Sequence, residues 1–448
     1  MPYFALTDED RRAMLAAIGA PSVRALFADV PQDALLEPRA LKLPPAMREP
    51  EILRMFRAHA AENRAADRYA CFLGAGCYWR HVPEAVRYLA LRGEFLTAYT
   101  PYQPEISQGT LQAAFEFQTA IARLTAMEVA NSSMYDAATS LAEAALMARR
   151  ITRRDRIVFA GGVHPRWRQV AENYLKHSGG QVAVVPAESW ATDAAAVAEA
   201  VDEATAAAVV QFPDAFGAVF DPAPVREACR MRGALMIIVV PDPVLCAWLA
   251  PPGEMGADIA CGSAQGLGLP MSFGGPSLGF LATKMRFVRQ MPGRICGMTK
   301  DANGRAGFVL TLSAREQHIR RGKATSNICS NQQLLALMAT GYCAWLGARG
   351  LAAVAKASVA ARRRLKAELP EALEAAAGPR AHETVIRFPS QEARERFLVE
   401  AKKREVLGGV RLERLILGAD DAALLVATTE MITEEMIGRW IEAAKAVL

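Results

Sequence analysis

The sequence predicts an α/β chain with a mostly parallel, seven-stranded sheet, helices on both of its faces, and a small C-terminal α/β domain. Three observations carry this. Short apolar runs alternate with amphipathic segments between residues 71 and 312, the pattern of parallel strands buried on both faces. The strongest run, 234–240 (ALMIIVV), stops at Pro241-Asp242. After Arg320 the alternation gives way to one long helical stretch, then to strand, helix, strand and helix.

Taken in order, residues 1–70 read as a polar helical arm. Thr7 or Asp8 can cap a helix running to Gly19, and breaks are expected at Pro21, Pro31, Pro38 and Pro44-Pro45. No basic recognition helix follows, so an arm packing on a partner subunit is expected rather than a DNA reader. Residues 71–330 form the large domain. Its strands are expected at 156–160, 181–186, 206–212, 234–240, 257–261, 279–283 and 308–312, with helices at 110–125, 164–176, 193–203 and 225–232. Residues 331–448 hold a helix to about 368, loosened at Gly347 and Gly350 and stopped near Pro370, then strands at 384–388 and 423–428 and helices at 391–403 and 433–448.

Composition narrows the function classes. The net charge of +5 is small for 448 residues, and no basic run favours nucleic acid. No apolar run approaches the ~20 residues that span a bilayer, and the first residues, MPYFALTDEDRRAML, lack a signal-peptide pattern. A cytoplasmic protein with no membrane role is expected. Eight scattered cysteines without a CxxC pair read as free thiols. HExxH, carboxylate-rich calcium loops, Cys/His ligand sets and GxSxG elbows do not occur, so neither a metal site nor a serine hydrolase is expected.

Five segments could carry chemistry. Asp242 follows the strongest strand, where ligands bind in open α/β sheets. A carboxylate there can pair with the protonated ring nitrogen of pyridoxal phosphate, and Pro241-Asp242-Pro243 also suits a plain turn. Residues 257–279, ADIACGSAQGLGLPMSFGGPSLG, look like a pyridoxal-phosphate attachment loop, but Gln265 stands where the Schiff-base lysine would be. An amide nitrogen is not nucleophilic and forms no imine. Residues 98–109, AYTPYQPEISQG, crowd Tyr99, Thr100, Tyr102, Gln103, Glu105 and Ser107 beside two stiffening prolines, which points to a functional or interface loop. Residues 134–147 read as a loop feeding a helix capped by Ser133 or Asp136. Residues 315–331, REQHIRRGKATSNICSN, place Thr325-Ser326-Asn327 at the junction with the long helix. His318 there reads as a structural, hydrogen-bonded residue.

AYTPYQPEISQG (98–109), NSSMYDAATSLAEA (131–144), FGGPSLGFLAT (273–283) and TLSAREQHIRRGKATSNICSNQ (311–332) together resemble the glycine cleavage system P-protein family, in its α (subunit 1, N-terminal) branch. The resemblance runs over nearly the whole chain. It implies the type I, aminotransferase-like fold of pyridoxal-phosphate enzymes and an α2β2 assembly whose β chain carries the cofactor lysine. Aligned through Gly274-Gly275-Pro276, the β lysine falls on Gln265 and the loop proline on Pro270. The implied reaction is decarboxylation of glycine on pyridoxal phosphate bound by the β subunit, with transfer of the aminomethyl group to the lipoyl arm of H-protein. No cofactor is expected covalently on this chain. Asp242, Gln265, Gly274 and Gly275 would then be a vestigial cofactor site. Tyr99, Thr100, Tyr102, Gln103, Glu105 and Ser107 would brace the αβ active-site mouth, and Thr325, Ser326 and Asn327 would reach toward the partner's cofactor. Two alternatives stand beside this: a scaffold or regulator that only stabilises the β subunit, and an autonomous pyridoxal-phosphate enzyme using Lys284, Lys300 or Lys323.

Overall fold

The computed structural model describes residues 6–35, 42–416 and 418–448. The break expected at Pro38 lies outside the described residues. Two compact units emerge, 1–64 and 65–448.

In the first unit Thr7 caps helix Asp8–Ala17 through a reciprocal box with Asp10. A second helix, Glu49–Glu62, carries Pro50 in its first turn. Within this unit Met14, Ile52, Leu53, Met55 and Phe56 on these helices are exposed.

The second unit is built on seven strands: β1 (Val129–Ala130), β2 (Arg156–Ala160), β3 (Gln181–Val185), β4 (Thr205–Gln211), β5 (Leu235–Val240), β6 (Ile259–Ser263) and β7 (Gly279–Thr283). Their spatial order is β1-β7-β6-β5-β4-β2-β3. β7 runs antiparallel to both neighbours, while β6, β5, β4, β2 and β3 pair in parallel. Central β4, β5 and β6 are buried at every position, because helices cover both faces and leave no polar side to alternate with. The right-handed rule for parallel crossovers puts helix Pro165–His177 on one face and helices Ala194–Glu199 and Ala223–Arg232, which pack on each other, on the opposite one. Helix Ala137–Thr152 packs on the first of these.

The strand expected at 308–312 is not part of this sheet. It belongs to a separate antiparallel hairpin of β8 (Ile295–Lys300) and β9 (Ala306–Thr311), and the seventh place is taken by the two-residue β1. The strand expected at 257–261 is displaced to Ile259–Ser263, since Asp258 is used to accept the Met236 backbone N–H at 3.1 Å.

Helix Gln333–Ala367 is long and apolar enough in composition to cross a membrane, against the expectation that no segment reaches that length. It bends at Gly347 (φ 60°, ψ −178°). Its second half is packed: Leu351 and Ala355 belong to the core under the large sheet, and Ala361 and Leu365 to the core of the C-terminal domain. That domain has four antiparallel strands, β10 (Glu374–Ala375), β11 (Glu383–Arg387), β12 (Val410–Arg411) and β13 (Ala423–Ala427), in the order β10-β11-β13-β12. Helices Gln391–Lys403 and Glu434–Lys445 cover it, with Phe388, Phe397 and Trp440 in contact at their centre. Burial of each such side chain stabilises by about 1.5–3 kcal/mol.

The two domains touch backbone to backbone. Gly217 (φ +82°) lies so close to β11 that an added Cβ would stand 2.1 Å from the Glu383 carbonyl oxygen, a spacing no other residue could adopt without moving a domain.

Candidate functional site

Five parallel strands end on one rim, and the order in which the strands are laid down switches direction between β2 and β4, where such sheets bind ligands. His164 follows β2, Asp214 follows β4, Asp242 follows β5 and Gln265 follows β6. All four are buried. Facing them are the segment 74–81, the start of β11, and the turn after β13.

Gln265 does not point into an open pocket. Its Oε1 accepts the Tyr78 N–H at 2.9 Å, and its Nε2 donates to the carbonyls of Tyr78 (3.0 Å) and Leu269 (2.8 Å). Asp242 is likewise engaged. Oδ1 accepts the Val244 N–H at 3.2 Å, the expected turn contact. Oδ2 accepts Nε of Arg80 at 3.1 Å and also its Nη2. Arg80 and Asp242 have no exposed side-chain surface. Nη1 of Arg80 donates to Ser358 Oγ at 3.2 Å and to Glu430 at 2.5 Å. Gly266 makes this fit possible: a Cβ there would meet Asp242 Oδ1 at 2.4 Å.

Burial opposes the Arg80 charge, but Asp242 and Glu430 outweigh it and hold the guanidinium above its ordinary value. His382 sits with Nε2 3.6 Å from Asp242 and its ring 4.5 Å from that of Tyr78. Burial pushes it down to about 4, so it stays neutral. His164 is also held near 4 by burial. It stacks on Trp167 at 4.5 Å and meets the Ala75 carbonyl at 3.1 Å through Nε2. Asp214 is raised to about 6 by burial, although the N–H groups of Ala218, Phe216 and Thr192 favour its charge.

Glu383 accepts the Ala75 N–H and the Tyr78 hydroxyl, each at 2.8 Å. Burial raises it from 4.5 to about 7, against the pull of those two donors. The folded chain therefore keeps this proton where the unfolded chain loses it, and the stabilisation is lost as pH rises from 4.5 through about 7. His164 and His382 act oppositely, losing stability as pH falls below their unfolded value. A Glu383→Gln chain isolates the carboxyl. Its stability relative to wild type is expected to improve by roughly 2–3 kcal/mol between pH 5 and pH 8, read as the pH dependence of the difference in Tm. A flat difference would contradict the buried, protonated carboxyl.

The loop at 98–109 forms a second centre. Tyr99 and Tyr102 are 78% and 67% exposed, and Gln103 and Glu105 also face solvent. Ser107 is half-buried and begins helix Gln108–Thr125 without a side-chain cap. Thr100 accepts from Nη1 of Arg294. Arg294 is buried, lies 5.6 Å from the Tyr102 ring centre, and faces buried Glu316 at 3.6 Å. Its Nη2 contacts Cys329 Sγ at 3.7 Å. Arg315 donates to the carbonyls of Met291 and Gly293, the latter at 3.0 Å. Gln108 joins loop to hairpin: Nε2 donates to the Pro104 and Phe308 carbonyls (2.6 and 2.9 Å), and Oε1 accepts the Phe308 N–H (2.8 Å). Loop 98–109 and segment 311–332, remote in sequence, are thus held against each other through Arg294.

Other expected residues are placed apart from these centres. Gly274 and Gly275 lie on an outer loop, with no atom within 4 Å of a Cβ added at Gly274, and do not join Asp242 and Gln265. Thr325 donates its N–H to the Arg315 carbonyl at 3.0 Å. Ser326 is half-buried, and its Oγ accepts the Ile328 N–H at 3.2 Å. Asn327 is exposed. Asp136 caps helix Ala137–Thr152, accepting the Thr139 N–H at 2.8 Å. His318 is exposed, with Nδ1 3.6 Å from Glu316. Among the described residues, no group of three His, Cys, Asp or Glu is placed to hold a metal.

Sequence reasoning missed Tyr78, Arg80, His382, Glu383 and Glu430 at the rim, and Arg294 and Glu316 at the loop. A cue existed for Arg80: it stands alone in the apolar run CFLGAGCYWRHV, where a lone charge signals a buried partner. The rim does not fit pyridoxal phosphate. It offers no amine at position 265, and the carboxylate that would face a ring nitrogen already holds a guanidinium.

Comparison with known proteins agrees with this architecture. The family profile described as glycine cleavage system P-protein matches residues 1–443. The chain is 48% identical over 453 aligned residues to a probable glycine dehydrogenase (decarboxylating) subunit 1 of Rhodospirillum centenum, covering all of both chains. A crystal structure of glycine decarboxylase (P-protein) of the glycine cleavage system, in inhibitor-bound form, is 44% identical and matches with a TM-score of 0.92 over 100% of both chains. A sphingosine-1-phosphate lyase of Burkholderia pseudomallei, at 15% identity, shares the fold with a TM-score of 0.65 over 92% of this chain and 94% of its own. The fold is that of type I pyridoxal-phosphate enzymes, and the chain belongs to the glycine cleavage system P-protein family.

Proposed function

We propose that this chain is the α subunit of a two-chain glycine decarboxylase and works only in assembly with a β subunit that carries pyridoxal phosphate. The observation that supports this most directly is the rim itself, where Gln265 is tied to Tyr78 and Leu269 and Asp242 to Arg80. The cofactor, when bound by the β subunit, supplies the electron sink for loss of CO2 from glycine. The α chain's part is geometric. Tyr99 and Tyr102 stand exposed on a loop stiffened by Pro101 and Pro104 and anchored by Arg294 and Gln108, a shape suited to closing the mouth of the partner's site and excluding water. Segment 325–327 is proposed to face the same partner. Within an α2β2 complex the aminomethyl product would pass to the lipoyl arm of H-protein.

The experiment is to replace Tyr99 or Tyr102 with Phe in the purified two-subunit complex and measure glycine decarboxylation. Loss of one hydroxyl that hydrogen-bonds across the mouth is expected to lower turnover by up to about tenfold in at least one variant. Unchanged turnover in both would leave the scaffold reading, which the filled rim alone also supports.

A further inference from the structure

We infer that Arg80 is a built-in surrogate for the cofactor's cation, and that it locks the two domains of this chain across the rim where a cofactor-bearing chain would hold its ligand. The inference rests on the proposed placement of the cofactor in the partner subunit. In a cofactor-bearing site the carboxylate beyond the fifth strand faces a protonated, planar ring nitrogen. Here Asp242 faces a planar, delocalised guanidinium instead, and accepts two of its N–H groups through one oxygen. A guanidinium suits this exchange because it carries its charge in a flat fork with donors left over. The leftover donors point away from the large sheet. Nη1 reaches Ser358 on the long helix and Glu430 after β13, so one side chain bridges the rim, the helix shared by both cores, and the small domain.

The backbone around Arg80 repeats the pattern. The Tyr78 peptide is held by Gln265 of the large domain, while the Ala75 N–H, the Trp79 carbonyl and the His81 N–H go to Glu383, Thr429 and Glu430 of the small domain. His382 stands 3.6 Å from Asp242 but makes no hydrogen bond through either ring nitrogen, so it does not compete for the carboxylate. Removing one member of such a buried charge set is costly, because it leaves the others buried without compensation. A type I enzyme needs this cleft accessible to its substrate; this chain has closed it with its own side chain.

The test uses the full-length chain in complex with its partner and reads hydrogen exchange at 383–387 and 423–427. Arg80→Ala is expected to speed exchange there on the order of 100-fold. Guanidinium chloride at low millimolar concentration should restore protection, relative to sodium chloride at equal ionic strength. Unchanged exchange in Arg80→Ala, or acceleration that guanidinium does not reverse, would overturn the lock. Should Arg80→Ala fail to assemble, the double variant Asp242→Asn, Glu430→Gln keeps the shapes and removes both counter-charges. It is expected to accelerate exchange in the same strands, and wild-type exchange would overturn the inference. A visible imine band on wild-type chain titrated with pyridoxal phosphate would instead overturn the cofactor placement, a separate failure.

Discussion

A Gln265→Lys chain, given the residue type that forms the cofactor imine, is expected to develop no visible imine band with pyridoxal phosphate and to lose about 3–5 kcal/mol of stability. The Gln265 amide both accepts from the Tyr78 N–H and donates to two carbonyls. An ammonium only donates, so the buried Tyr78 N–H would be left without an acceptor. A new cation would also enter beside Arg80, whose Nε lies 3.3 Å from where a Cβ on the adjacent Gly266 would be. The outcome is read by absorbance titration and by thermal unfolding of the same sample. An imine band with unchanged Tm would mean that Arg80 swings away from Asp242 readily, and that the rim is a pocket after all.

Removing Arg294 is the change with the largest expected effect on activity. Arg294→Ala would leave Glu316 buried without its facing cation and free Thr100 and Tyr102 from their anchor. If loop 98–109 closes the partner's active site, misplacing it by an ångström costs on the order of 100-fold in kcat/KM. The expected result is such a fall in glycine decarboxylation by the complex, with the absorbance of the β-bound cofactor unchanged. Arg294→Lys should recover part of it, because a single ammonium can reach Thr100 or Glu316 but cannot fork between them. Wild-type turnover in Arg294→Ala would remove the loop from the active site.

The parts of this fold that could be read from sequence are those in which one segment decides its own state. The runs RIVFA and ALMIIVV are apolar enough to specify buried strands by themselves, and helix Gln391–Lys403, found with the bounds expected, is held at its start by Ser390, whose side chain accepts the Ala393 N–H. β1 has two residues and exists only because β7 presents an edge to it. The same limit explains the hairpin: 308–312 looks like a sheet strand until its partner, Ile295–Lys300, a segment ending Met-Thr-Lys with no apolar alternation, claims it. At the site, Asp242 and Gln265 were legible because each sits at a strand end. Arg80 was not, since its role depends on residues 162 and 350 positions away. Arg294 escaped for the same reason, 194 positions from Thr100.

The fully engaged amide of Gln265 has a consequence for how such a chain can change over time. A working active site keeps groups strained or under-satisfied, and selection for turnover prevents their repair. At this rim the donors and acceptors of Gln265 are satisfied, so substitutions that tighten the packing around it carry no penalty in chemistry. If the partner subunit holds the cofactor, as proposed, the two halves of the complex are thereby exposed to different selection. One must preserve a reactive, imperfect pocket, and the other is free to grow more rigid and to lend that rigidity to its neighbour.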